Sequence, residues 1–266
     1  MARNKSWYEI KAQSEDDTTI YVYDEISSYG ISANQFVKDL NEVKSGKIKL
    51  RINSPGGNVF DGVTIHNALK EHPATVNVIV DGLAASIASI IAMAGDNVHM
   101  ADNAMMMIHQ AWAFAMGNAD DLQKTVEVLQ KIDGTLVKTY ADKTGATQRN
   151  IRQMMKDETW MTAQEAKDLG FADTIGDRVD AKASFDLSKY ANVPQEAMAM
   201  YAAPKEPTER DIETILRDAG ISHKAAKAAV ASIKVNHRDD ESLKDAVAEL
   251  STKIQIETLI AKIKGA

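Results

Sequence analysis

Cysteine is absent from all 266 residues. That removes disulfides, thiolate catalysis and cysteine zinc sites, and it fits a reducing compartment. The six histidines show no metal-ligand pair spacing, so no metal and no other cofactor is expected. Also missing is any run of about 18 uncharged apolar residues, and the polar start Met1-Ala2-Arg3-Asn4-Lys5-Ser6 lacks the apolar segment of an export signal. A cytoplasmic chain with no membrane partner is expected. There is no long basic run and the net charge is −7, which argues against a nucleic-acid partner. What is present is an apolar fraction of 44%, enough at this length for one good-sized domain plus an appendage.

The first half of the chain alternates two periodicities. Residues 18–23 are β-branched and aromatic, a first strand preceded by only seventeen residues. Ser32 with Gln35 reads as a capping box opening a helix through Phe36, Val37 and Leu40. Ile48, Leu50 and Ile52 alternate with Lys49 and Arg51, a second strand with one polar face. It runs into Asn53-Ser54-Pro55-Gly56-Gly57, where proline and two glycines force a turn and leave backbone N–H groups bare. A helix follows to about Lys70, stopped by Pro73, and residues 76–80 form a third strand. This order predicts an α/β fold with a largely parallel sheet. Ligands in such sheets sit beyond the carboxyl ends of the strands, where the Pro55-Gly56-Gly57 turn and the stretch 82–86 both fall.

The sequence Asp81-Gly82-Leu83-Ala84-Ala85-Ser86-Ile87-Ala88-Ser89 places Ser86 after a turn of small residues and before an apolar helix ended by Gly95. A hydroxyl at a helix N-terminus faces unpaired N–H groups and the positive end of the dipole, which suits an alkoxide or oxyanion. Serine is also a favoured cap, and Ser89 is a competing hydroxyl one turn deeper. The Gly-x-Ser-x-Gly elbow of another hydrolase class is missing. Downstream, residues 104–108 form a methionine-rich strand ending at His109-Gln110-Ala111-Trp112. A helix of about 23 residues spans 118–140, ~35 Å long and so able to project from the domain, with Gly145 beyond it. A short helix near 151–155 precedes Trp160. Thr162 with Glu165 caps another helix, ended by Gly170 before Phe171-Ala172-Asp173-Thr174-Ile175. Ser86, His109 and Asp173 thus each stand at an element boundary, the ingredients of nucleophilic hydrolysis; a structural histidine and a capping aspartate are equally compatible with those positions.

Four ordered segments resemble the motifs of the Clp protease proteolytic subunit family: Asn53-Ser54-Pro55-Gly56-Gly57, Gly82-Leu83-Ala84-Ala85-Ser86, Met107-Ile108-His109-Gln110, and Thr162-Ala163-Gln164-Glu165-Ala166 with Gly170-Phe171-Ala172-Asp173. The resemblance spans roughly residues 15–180. It implies a ClpP/crotonase-like fold of repeated strand-helix units, a projecting handle helix, and a serine endopeptidase. By the same resemblance the nucleophile is Ser86, the base His109 and the acid Asp173, with the oxyanion-binding amides at Gly57 and Ile87. The implied substrate-contacting positions are Gly56, Asn58, Val59, Gln110 and Ala111. The 118–140 helix resembles the handle through which rings self-assemble.

Three domains are expected: a protease domain at 1–185, a linker at 186–207 and a helical, scaffold-like extension at 208–266. Thr208 with Asp211 opens a helix ended by Gly220, and Leu243, Val247, Leu250 and Ile254 keep a helical pairing spacing. Together these parts resemble the ClpP-related head maturation proteases of phages and prophages. That implies polypeptide substrates such as capsid or scaffold protein, inside an assembling procapsid. Two alternatives stand beside it. One is a host-type Clp peptidase subunit working with an ATP-dependent unfoldase, against which the short N-terminal stretch weighs. The other is a catalytically vestigial assembly protein.

Overall fold

The structure is a computed structural model that describes residues 6–12, 17–27, 31–181 and 185–201. The helices expected within 208–266 lie outside the described residues. The expected alternation is present: strand β2 (Asp17–Val22), helix α1 (Ala33–Asn41), strand β3 (Lys47–Ser54), helix α2 (Val59–Glu71), strand β4 (Thr75–Ala85) and helix α3 (Ile87–Ala92) follow in order. A strand that periodicity did not reveal, β1 (Tyr8–Ala12), precedes them and pairs antiparallel with β2. Its entry is held by side chains: Trp7 Nε1–H donates to Ile31 C=O at 2.7 Å, and the Tyr8 hydroxyl donates to Asp39 at 2.6 Å.

β2, β3 and β4 run parallel, and β4 then does two jobs. Its first half, Asn77 to Val80, pairs with β5 (Asn97–Ala101), while its second half, Leu83 to Ala85, pairs with β6 (Met105–Ile108). The 82–85 stretch, expected as a turn, is therefore strand, because β6 supplies partners for its backbone. β5 continues to β8 (Thr174–Gly176), and β6 to the antiparallel β7 (Thr159–Thr162). The sheet forks at β4, and Ser86 stands directly beyond the fork.

Helices α4 (Ala119–Thr144), α5 (Gln148–Lys156) and α6 (Ala163–Asp168) complete the expected set. α4 is capped by Asn118 and ended by Gly145 in the left-handed conformation. The Thr162–Glu165 capping box is complete, with each side chain serving the other's backbone. At Ser32 only half of the box forms, because the Gln35 side chain donates to Asp39 at 2.7 Å instead. Among the described residues no helix is long and apolar enough to cross a membrane.

The core lies on both faces of β4. Val76, Val78, Val80 and Ala84 pack with Ile48, Leu50, Ile52 and Met106 against the helices. Alternation turns Leu83, Ala85 and Met107 to the opposite face, where Phe185, Leu187, Tyr190, Ala197 and Tyr201 cover them. Residues 185–201, expected mostly as linker, are thus packed structure ending in helix α7 (Gln195–Tyr201). Burying the aromatic side chains outweighs the weak helical periodicity of this stretch. One charge is buried in the sheet: Asp81, fully enclosed, accepts from Arg51 Nε at 2.8 Å, from a second Arg51 nitrogen and from the Tyr23 hydroxyl. Removing Arg51 strands that carboxylate. Arg51→Ala is expected to lower unfolding free energy in urea by about 2–3 kcal/mol, less than the ~3–5 of a fully buried pair because its side chain is 27% exposed.

Candidate active site

The fork in the sheet brings two chain segments to one point. The Ser86 N–H donates to Met107 C=O at 2.9 Å, fixing the end of β4 beside β6, and His109 lies two residues further along. The Ser86 hydroxyl consequently lies 2.7 Å from His109 Nε2. Ser86 caps nothing: its side chain makes no bond to α3, and its backbone has φ 55° and ψ −129°. Ser89, the competing hydroxyl, is fully buried and structural; it donates to Ser86 C=O at 2.6 Å and lies 2.7 Å from the Tyr140 hydroxyl.

Two glycines let the Pro55-Gly56-Gly57 turn approach this point. A side chain on Gly56 would come within 2.7 Å of both Ala85 O and Ser86 Cβ, and one on Gly57 would strike the Ile26 carbonyl. Both carry positive φ. The Gly57 backbone and Ile87, whose N–H the first turn of α3 cannot use, line one cavity of about 550 Å³ with Ser86 and His109. Asn58 and Val59 line it too, although the Asn58 side chain is occupied in capping α2. Ala111 borders the cavity, but its N–H donates to Asp133 at 2.8 Å. Gln110 does not: its side-chain amide donates to Asp133 and its backbone N–H to Met155 C=O. The expected substrate contact at Gln110 is corrected to a structural one, with nearly buried Asp133 pinning the segment.

Asp173 is a second correction. Its carboxylate accepts from the Val98 N–H at 2.7 Å and lies 3.4 Å from Lys143 Nζ. Val98 is in register with Val78 on β4, whereas the His109 end of β6 is in register with Ala85. Seven strand residues separate those levels, about 23 Å. Asp173 sits at the wrong end of the sheet to orient His109.

The carboxylate whose charge reaches the imidazole is Glu158, at the entry to β7. Ser86 and Glu158 are also the two non-glycine residues with positive φ among the described residues, and such strain concentrates at working sites. Glu158 had no legible sequence signal, being one acid among many in a short loop. Tyr190 was missed as well; its ring meets His109 edge to face at 5.3 Å between centroids. Burial pushes the His109 pKa below its ordinary 6.5; Glu158 opposes that shift and Lys189 adds to it. The lowered pKa favours the neutral imidazole at pH 7, the form that can accept a proton from Ser86.

A hydroxyl on a strained turn, a neutral, partly buried imidazole and two backbone donors around one cavity define a serine hydrolase. The comparison with known proteins makes this specific. The Clp protease family matches residues 2–179. An ATP-dependent Clp protease proteolytic subunit of Bacteroides fragilis is 33% identical over 163 residues, 60% of this chain and 79% of the relative. The subunit of the same description from Deinococcus radiodurans is 31% identical over 182 residues, covering 66% and 88%. The chain belongs to the Clp protease family and is a serine peptidase.

Two outcomes follow from this geometry. Labelling of the protein by a fluorophosphonate should fall as pH drops with a midpoint below 6.5, because the lowered His109 pKa keeps the base neutral further into acid. Asp173→Asn should leave peptidase activity within about twofold of wild type, since the carboxylate serves β5 and not the imidazole.

Proposed function

We propose that this chain is the proteolytic subunit of a compartmentalised peptidase that hydrolyses unfolded polypeptides supplied by an ATP-dependent unfoldase. The observation that carries the chemistry is the 2.7 Å approach of Ser86 Oγ to His109 Nε2 at the cavity mouth. Ser86 attacks the peptide carbonyl while His109 takes its proton. The N–H groups of Gly57 and Ile87 hold the oxyanion, and His109 returns the proton to the leaving amine. Water, activated by the same imidazole, then releases the acyl group from Ser86. Glu158 takes the acid's place, stabilising the imidazolium through its charge. Ile90, Leu129, Ile132 and Leu136 along the cavity favour an apolar substrate side chain next to the cleaved bond.

Assembly is supported by surface chemistry. The outer half of α4 exposes Leu122, Val126 and Val128, and the segment before it exposes Trp112, Phe114 and Met116. An apolar surface of this extent on one arm is suited to burial against other copies. The unfoldase is favoured over phage head maturation because both relatives carry the description ATP-dependent Clp protease proteolytic subunit; no observation on the described residues favours a capsid substrate.

Cleavage of a short fluorogenic peptide and of a folded protein, each with and without an added Clp unfoldase and ATP, tests the proposal. The peptide should be cut without ATP and the folded protein only with both additions. Folded-protein cleavage that ignores the unfoldase would overturn the partner assignment. Ser86→Ala should abolish peptide cleavage and fluorophosphonate labelling, and Glu158→Gln should lower kcat/KM roughly 10²- to 10⁴-fold.

A further inference from the structure

Residues 185–201 form a loop closed at its base and seated over the active site. The Phe185 N–H donates to Tyr201 C=O at 3.0 Å, and Phe185, Leu187, Ala197 and Tyr201 anchor both arms on Leu83, Ala85 and Met107. Such a loop can lift its tip without undocking its base. The tip, residues 188–192, reaches every part of the machinery. The Tyr190 hydroxyl donates to Pro55 C=O, beside the Gly56-Gly57 turn, and the Ser86 hydroxyl also bears on it. Its ring lies edge-on against both His109 and Trp160.

The next two residues take the acid. The Asn192 N–H donates to Glu158 Oε1 at 2.6 Å and the Ala191 N–H to Oε2 at 2.9 Å, with Trp160 Nε1–H also donating to Oε1. Asn192 Nδ2–H closes the contact on Asp157 C=O at 3.0 Å. Both carboxylate oxygens of Glu158 are therefore bonded to groups other than the imidazole. Lys189 pairs with Glu25 at 2.7 Å across the cavity rim.

We propose that the 188–192 tip is an autoinhibitory latch, which seats Tyr190 on the Ser86–His109 pair and holds the Glu158 carboxylate on its own backbone amides. Lifting the tip opens the substrate path past Pro55 and frees Glu158 to face His109. The latch rests on Ser86 and His109 being the working pair, as in the proposed function.

The test uses the full chain and the rate of fluorophosphonate labelling at Ser86, read by peptide mass. Lys189→Ala removes one rim contact without touching the core, and Tyr190→Ala removes the plug. Both should label faster than wild type, by roughly three- to tenfold, the size expected from losing one or two such contacts. In Lys189→Ala the Ala191 and Asn192 amides should also exchange hydrogen faster, and adding Glu158→Gln should cancel the gain. Labelling at the wild-type rate in both variants overturns the latch and leaves the peptidase reading standing. Slower labelling in both makes Tyr190 a positioning residue for Ser86 and equally overturns it. Absence of Ser86 labelling in wild type and variants alike overturns the nucleophile assignment and the latch with it.

Discussion

The hydrogen bond from the Ser86 N–H to Met107 C=O ties the end of β4 to β6 and fixes the nucleophile beside the histidine. It extends a parallel pairing, Leu83 with Met105 through Ala85 with Met107, by one further bond past the last strand residue. The chain must turn sharply there to start α3, and the turn puts Ser86 in a conformation that costs an ordinary residue on the order of 1–3 kcal/mol. Buried surroundings hold it: Ala85, Ile87 and Ala88 on either side are all nearly inaccessible. The same bond fixes the level of β6 and so the distance from serine to histidine. The nucleophile's position is thus a property of strand register and not of a flexible loop.

Register also explains which parts of the fold were legible in the sequence. Strands β2 to β4 and their helices carry strong alternation, caps and breakers, and their order alone implied a parallel sheet. β1, β5, β7 and β8 were not legible: none exceeds five residues, too few for a period to stand out, and each exists because a neighbouring strand offers it an edge. The 82–85 segment read as a turn because Gly82 and small residues are turn-like locally; tertiary pairing with β6 overrides that preference. Gly82 is small for another reason, since a side chain there would meet Asn53 Oδ1 at 2.8 Å and also press on the Tyr201 hydroxyl.

At the site, local signals marked Ser86 and the bare backbone of the Pro55-Gly56-Gly57 turn, while the roles expected of His109, Gly57 and Ile87 came from the family resemblance. The acid failed because motif order carries no depth along a strand. Asp173 is next to a motif and at an element boundary, yet its partner strand β5 pairs with the first half of β4, about 23 Å from the catalytic end. Glu158 sits on the branch that pairs with the second half, through β7 and β6. Which acid's charge reaches the histidine is decided by which side of the fork its strand joins, and a fork is invisible to periodicity.

The same fork creates the face that residues 185–201 cover. A strand buried on one side only would leave Leu83, Ala85 and Met107 exposed, an apolar patch next to the nucleophile. Covering that patch with chain from the same molecule sets Tyr190 edge-on against His109, because the cover must cross the carboxyl end of β4 to reach Pro55. Protection of an apolar face and occlusion of the active site are therefore one structural event. Any process that moves the tip alone separates them, since the anchors at Leu187 and Tyr201 bury the patch independently of Tyr190.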